Sequence, residues 1–504
     1  MDYILALDLG TTAIKVILFD SEGKAMAKST QEYALVTPSA LEVELPVETY
    51  WEAFKKGLAE VMAASKVAPS KVKGLGISAQ GETLIMADEK GEPLMNAIVW
   101  LDNRAQHEAA ELAAHFGNEL TYSTTGQVEI VPTWPASKIL WLYRNMPEMH
   151  RKTRRFLLIE DYFIHRLTGK YVCEGSLVCS TAYWDIINKV WWKDMLDYIK
   201  VDEGQLPELR ESGEMVGPLL PEVARELGLT SETIVATGAL DQACGALGAG
   251  NIVPGMVSEN TGAALAICAT TGKPLINPKW KIPCHYHAIP DTYMAHTFTT
   301  GGMVLRWFKD HFCQIESVTS ALSDIDPYKI MDDEAKTVPA GCSGLVMLPH
   351  LQGAMAPESN AKAKGVFYGF TLHHTKPYFI RAIMEAIAFA INRNIDALLE
   401  MGIGTSEIRS LGGGSRSAIW NQIKADASGK PIYTMQNEEC GSLGAAMLAA
   451  KSIGMTKSIE DAVGKMVSVK KEYKPNPDNR EVYKVAYGKY KMLYESLVPN
   501  FEVD

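Results

Sequence analysis

Two aspartates in unusual settings carry the first chemical signal in this chain. Asp8 closes an apolar run, Tyr3-Ile4-Leu5-Ala6-Leu7, and is followed by Leu9-Gly10-Thr11-Thr12-Ala13-Ile14-Lys15 and a second apolar run, Val16-Ile17-Leu18-Phe19. The pattern predicts a strand, a tight Gly-Thr-Thr turn and a returning strand. A carboxylate precedes the turn and a cation follows it. Such a turn gathers backbone N–H groups and two hydroxyls into one small space, which suits phosphate oxygens. A carboxylate at its rim suits a hydrated magnesium ion, which keeps waters and takes few protein ligands. An ordinary β-hairpin with a polar tip shows the same pattern. The second residue, Asp241, lies in Thr237-Gly238-Ala239-Leu240-Asp241-Gln242-Ala243-Cys244-Gly245, where small residues let a substrate approach closely. An aspartate inside an apolar helix start is costly unless it is solvated, paired or functional. A base that accepts a hydroxyl proton and a helix N-cap both fit.

The elements that would position these residues occur twice. Residues 256–270 repeat the opening design around Asn260-Thr261-Gly262, and a later strand-to-loop segment follows each hairpin, Val72 to Ser78 and Ile408 to Gly414. Two similar halves, 1–250 and 251–504, are expected to meet along the Gly-rich passage from Gly245 to Pro254 and to hinge there. Their two Thr-Gly turns would then face each other across one cleft, the usual place for a ligand in αβ proteins. Helical spacing is expected over Trp134 to Asn145 and Tyr378 to Glu400. Two helices, separated by Pro475-Asn476-Pro477, are expected within Thr456 to Val498.

Composition bounds the function. At 504 residues the chain exceeds a single core, so two large domains are the prior. A net charge of −11 without a basic run argues against nucleic acid as the main partner. Eight cysteines without a C-x-x-C pair read as free thiols in a reducing compartment. The N-terminus lacks a secretory pattern and no apolar run could span a membrane, so a cytoplasmic enzyme or sensor is expected. Cys284, His285 and His287 invite a metal, but their stretch reads as a strand without a second ligand pair at zinc spacing.

Further segments carry a family resemblance. Asp8-Leu9-Gly10-Thr11, Lys138-Ile139-Leu140-Trp141-Leu142, Gly365 to Phe370 with Arg381 to Phe389, and Leu411-Gly412-Gly413-Gly414-Ser415-Arg416-Ser417 with Trp420-Asn421-Gln422 stand in one order. That order resembles the FGGY carbohydrate kinases from residue 3 to about 452, and among them the xylulose-kinase-like members. The resemblance implies an α/β fold of two ribonuclease-H-like (actin-like ATPase) domains facing a central cleft. The N-terminal domain would hold the sugar and the first phosphate hairpin, and the C-terminal domain the nucleotide. It implies Asp241 as catalytic base and Asp8 as the carboxylate linked to Mg2+. Thr11, Thr12, Lys15, Thr261 and Gly262 match the phosphate contacts. Gly302, Arg306, Gly413 and Ser417 match the positions nearer the nucleoside of ATP. Arg306 departs from the glutamine of some relatives.

The same resemblance places Gln80, Gly81, Glu82, Asp102, Asp241 and Gln242 around a small sugar or polyol. Carboxylates and amides suit vicinal hydroxyls, because they accept or exchange several hydrogen bonds in fixed directions. Gly81-Glu82 departs from the Met-His of xylulose kinases and the Arg-Glu of glycerol kinases, whereas Asp102 and Arg104 fit the former. The expected activity is ATP-dependent phosphorylation of a ketopentose such as xylulose, and a homodimer is compatible with the sequence. A catalytically weak sugar sensor, a glycerol or other polyol kinase, and an actin-like ATPase acting on a protein are the alternatives.

Overall fold

The computed structural model describes residues 1–502 and is built on two seven-stranded sheets. In the first, the strands run in the order Met215–Pro218, Ile234–Ala236, Val72–Ala79, Tyr3–Leu9, Ala13–Phe19, Ala25–Glu32, with Ala239–Leu240 also pairing to Val72–Ala79. In the second, the order is Cys284–Tyr286, Tyr293–Thr300, Ala264–Thr271, Met256–Thr261, Glu407–Leu411, Ile432–Met435, Val469–Tyr473. Each sheet centres on a strand with an antiparallel hairpin partner on one side and a parallel partner on the other. This is the ribonuclease-H-like arrangement, present twice.

The central strands are apolar on both faces because helices cover both. Ile4 to Leu7 have no exposed surface, as expected for strands buried between layers. The helix Val47–Ser65 packs on one side of the first sheet and Cys440–Ser452 on the other. Cys440–Ser452 crosses the helix Asp241–Gly248 at backbone distance. A Cβ on Gly248 would lie 1.9 Å from the carbonyl of Cys440, and one on Gly444 would lie 2.1 Å from that of Cys244. Only glycine permits that approach. Residues 443–450 and Ile459 to Met466 therefore belong to the first core, as do Tyr286 and Met294. Residues from both sides of position 250 thus share the first core.

The helix Lys376–Glu400 spines the second core. A smaller, third core packs on one face of the four-stranded sheet of Glu44–Leu45, Ala97–Ile98, Leu84–Ala87 and Arg155–Leu158, whose other face joins the first core. This insertion carries the Gln80 and Trp100 segments to the cleft. Two helices appear within residues 456–498 as expected from the pattern, but the charged strand Val469–Tyr473 lies between them and closes the edge of the second sheet. Its Lys-Lys-Glu run does not look like a strand, yet charge on an edge discourages pairing with other chains. The eight cysteines are buried and unpaired. Among the described residues no helix is long and apolar enough to cross a membrane.

Candidate active site

Strand register assembles the first hairpin. Asp8 pairs with Lys15 on one neighbour and with Ser78 on the other. Ser78 Oγ donates to Asp8 Oδ1 at 3.0 Å, while Lys15 Nζ stands 3.9 Å from Asp8 Oδ2. Burial holds the Asp8 carboxyl above its ordinary range, and the Lys15 charge beside it offsets part of that rise. Tyr33 donates its hydroxyl to the carbonyl of Gly10 at 2.5 Å and buttresses the turn.

The expected phosphate contacts of this hairpin differ in how free they are. Lys15 donates to Glu439 Oε2 at 2.9 Å, so its charge is already shared between two carboxylates. Thr11 Oγ accepts from the indole N–H of Trp100 at 2.8 Å, whereas Thr12 is exposed. Sequence reasoning missed Glu439. Its partner is 424 residues away, and no local pattern announces it.

Asp241 is the first residue of its helix, not the residue before it, which answers the N-cap alternative. Its Oδ1 accepts from the backbone N–H of the next residue, Gln242, at 2.6 Å. Burial pushes its pKa up to about 7, with Asp8 and then Glu82 adding repulsion against the helping Gln242 N–H. Asp241, Gln242 and Asp8 line a cavity of about 330 Å³ whose opposite wall is Ser258, Asn260 and Gly412 of the second half.

The sugar-side residues are held by the insertion. Gln80 is buried, donates to the Tyr50 hydroxyl at 3.3 Å and leaves its own Oε1 without a partner. Gly81 lies between the Leu240 side chain and the Ser180 hydroxyl. Glu82 takes a left-handed backbone, φ 55°, a strain that persists where surroundings over-determine it. Burial raises the Glu82 pKa, and Ser180 and then Lys138 ease it.

Asp102 is engaged inside the protein. It is fully buried, with Oδ2 accepting from Val43 N at 2.6 Å and Oδ1 from Arg104 Nε at 2.9 Å. Arg104 also reaches Glu44 at 2.7 Å. The pair braces the loop, and Arg104 is thereby kept from Glu82. Ser180, which the sequence reading did not single out, stands beside Gly81 and eases the Glu82 carboxyl.

The second hairpin and the Gly-rich loop open on a cavity of about 530 Å³. Thr261, Gly262, Gly302, Arg306, Gly413 and Ser417 all line it. Thr261, however, spends its hydroxyl internally, donating to Glu259 Oε2 at 2.5 Å and accepting from Lys424 Nζ at 3.1 Å. Lys424 and Glu259 form a fully buried ion pair at 2.6 Å behind the turn. Arg306 is exposed at the rim near Asp310. Ser417 caps Trp420 N at 3.1 Å and donates to Asp332 Oδ1 at 2.8 Å. Asp332, on the helix Pro327–Lys336, is a wall residue that the sequence reading did not single out.

The two cavities meet. Asn260 and Gly412 line the first, and their next residues, Thr261 and Gly413, line the second. Gly412 has φ 72°, and a Cβ there would lie 2.2 Å from Asn260 Oδ1, so the junction needs glycine. The path runs from the half-buried carboxyls of Asp8 and Asp241 at one end to a loop-lined pocket at the other.

Twin sheets, facing hairpins and adjoining cavities make a two-domain actin-like ATPase fold. The N-terminal domain of the FGGY family of carbohydrate kinases matches residues 3–248 and the C-terminal domain matches 262–453. The chain is 31% identical to a xylulose kinase of Bacillus subtilis (strain 168) over 495 residues, 98% of this chain and 97% of that one. It is 29% identical to a gluconokinase of the same organism, over 96% of this chain and 93% of that one. A ligand-bound xylulose kinase from Lactobacillus acidophilus superposes with a TM-score of 0.90 at 28% identity, covering 100% of this chain and 99% of that one. The chain belongs to the FGGY family of carbohydrate kinases. It is an ATP-dependent sugar or polyol kinase, a phosphotransferase with an alcohol group as acceptor.

Proposed function

We propose that the chain transfers the γ-phosphoryl group of ATP to a hydroxyl of a neutral ketopentose such as xylulose, with Asp241 as base. The observation that carries this reading is the Asp241 carboxylate. It stands at a helix start in a cavity lined by both halves, pushed up to about 7 by burial, Asp8 and Glu82. A base poised there takes a proton from an alcohol as the phosphoryl group arrives in line.

The same line of acids selects against a charged acceptor. An aldonate, the substrate class named by the gluconokinase relative, would bring another carboxylate toward Glu82 and Asp241. The neighbouring cations are committed: Arg104 to Asp102 and Glu44, Lys15 to Glu439, and Lys138 to the carbonyls of Glu82 and Val99. Neutral hydroxyls instead donate to Glu82 and to the unpartnered Gln80 Oε1, while Gln242 serves the hydroxyl nearest Asp241.

In this reading the first half holds the sugar and the hairpin of Thr11, Thr12 and Lys15. The second half holds the nucleotide against Thr261, Gly262, Gly302, Arg306, Gly413 and Ser417. Thr261 acts through its position and not its hydroxyl, which Glu259 and Lys424 occupy. The donor set fits Mg2+, since Asp8 is a hard oxygen donor with one hydrogen bond, from Ser78, and a long ion pair to Lys15 at 3.9 Å. Bound there with the ATP phosphates, the ion would neutralise their charge.

Release of ADP with D-xylulose, ribulose, a pentitol, glycerol and gluconate tests the reading. A pentulose is expected to give the highest kcat/KM. Glycerol or gluconate as best acceptor, or turnover indifferent to acceptor, would overturn it.

A further inference from the structure

A continuous run of hydrogen bonds links the sugar side of the cleft to the first phosphate turn. Lys138, fully buried, donates to the carbonyl of Glu82 at 3.1 Å and to that of Val99 at 3.0 Å. The next residue, Trp100, donates its backbone N–H to the buried Thr83 Oγ at 3.2 Å. Its indole N–H then crosses to Thr11 Oγ at 2.8 Å. The loop carrying Trp100 is fixed from behind by the Asp102–Arg104–Glu44 brace.

The direction of the last bond matters. An indole N–H can only donate, so Thr11 Oγ is the acceptor, and its single hydrogen remains to be given elsewhere. From the geometry we propose that Trp100 is a positioning residue for phosphoryl transfer, orienting the Thr11 hydroxyl as a donor to phosphate and tying the phosphate turn to the sugar-side loop. Without the indole N–H, the hydroxyl rotates freely and can present a lone pair to the phosphate, which repels it. The proposal rests on the reading of the Gly10–Thr12 turn as a phosphate site.

A double-mutant cycle tests it, since residues acting through one bond are non-additive. Trp100→Phe keeps most of the ring and removes the donor, whereas Thr11→Val removes the hydroxyl at nearly constant shape. Trp100→Phe is expected to lower kcat roughly tenfold, the scale of one hydrogen bond, while the KM for sugar changes far less. Thr11→Val is expected to lower kcat as well, and Trp100→Phe added to it should cost nothing further. Thr11→Ser, which keeps the hydroxyl, should restore the sensitivity to Trp100→Phe.

If the two losses multiply, or if Trp100→Phe raises only the KM for sugar, the indole merely packs and the proposal fails. A full loss in Thr11→Val with none in Trp100→Phe also overturns it, leaving the phosphate reading intact. An unchanged Thr11→Val removes the phosphate reading together with the proposal. Melting temperatures close to that of the parent show that each variant is folded.

Discussion

At the residue scale, the Asp241 carboxyl has its pKa pushed up to about 7, first by burial and then by repulsion from Asp8 and Glu82. As a base it works only when ionised. Log kcat/KM should therefore rise with unit slope below about pH 7 and flatten above it, and a pH-rate profile reads this directly. Asp241→Asn should keep ATP affinity by calorimetry and lose about a hundredfold or more in kcat. Stability should move the other way. The folded pKa lies above the ordinary 3.8, so the group's contribution is full below that value and is lost as pH rises through about 7. Asp241→Asn cannot ionise, so its melting temperature relative to the parent should increase from pH 5 to pH 8. A constant difference would place Asp241 in solvent. Glu82 supports substrate choice in the same electrostatic setting. Glu82→Ala should erase most of the preference for pentulose over glycerol while nucleotide affinity holds, and an equal loss on every acceptor would remove Glu82 from the pocket.

At the scale of elements, the two hairpins are the working parts, and their tips differ in what they tolerate. A Cβ on Gly262 meets nothing closer than 3.8 Å within the protein, so a side chain there projects toward the lined cavity without strain. Gly262→Val should fold normally and weaken nucleotide binding far more than sugar binding, as separate titrations would show. Equal losses would indicate a disturbed fold. Both hairpins were legible in the sequence, because an apolar strand ending in Gly-Thr or Thr-Gly is a short-range pattern that each copy repeats. The loop at Gly412 to Ser417 was legible for the same reason. What escaped was set by distant partners. Lys15 finds Glu439 from the far end of the chain. Thr261 loses its hydroxyl to Glu259 and to Lys424 on the helix Ala418–Ser428. Asp102 looked like a pocket residue because its bracing by Val43 and Glu44-bound Arg104 forms only when the insertion folds. The strand Val469–Tyr473 escaped because edge pairing, and not apolar alternation, defines it.

At the scale of the whole molecule, two helices that cross within the first core carry residues of the cleft. Asp241–Gly248 carries the base at its start, and Cys440–Ser452 follows directly on Glu439, which holds Lys15. Their glycine-mediated contact ties the Asp241 end of one helix to the Glu439 end of the other. Closure would exclude water, which otherwise competes for the phosphoryl group. Solution scattering should show a smaller radius of gyration with a pentulose and a non-hydrolysable ATP analogue together than with either alone, and an unchanged profile under saturation would count against closure. The central claim, that the phosphoryl group passes from ATP to a neutral sugar in this cleft, is tested most directly by phosphorus NMR of the reaction mixture. With xylulose, one sugar phosphate ester is expected for each ADP, with little inorganic phosphate. ADP and inorganic phosphate rising together, with or without sugar, would contradict it.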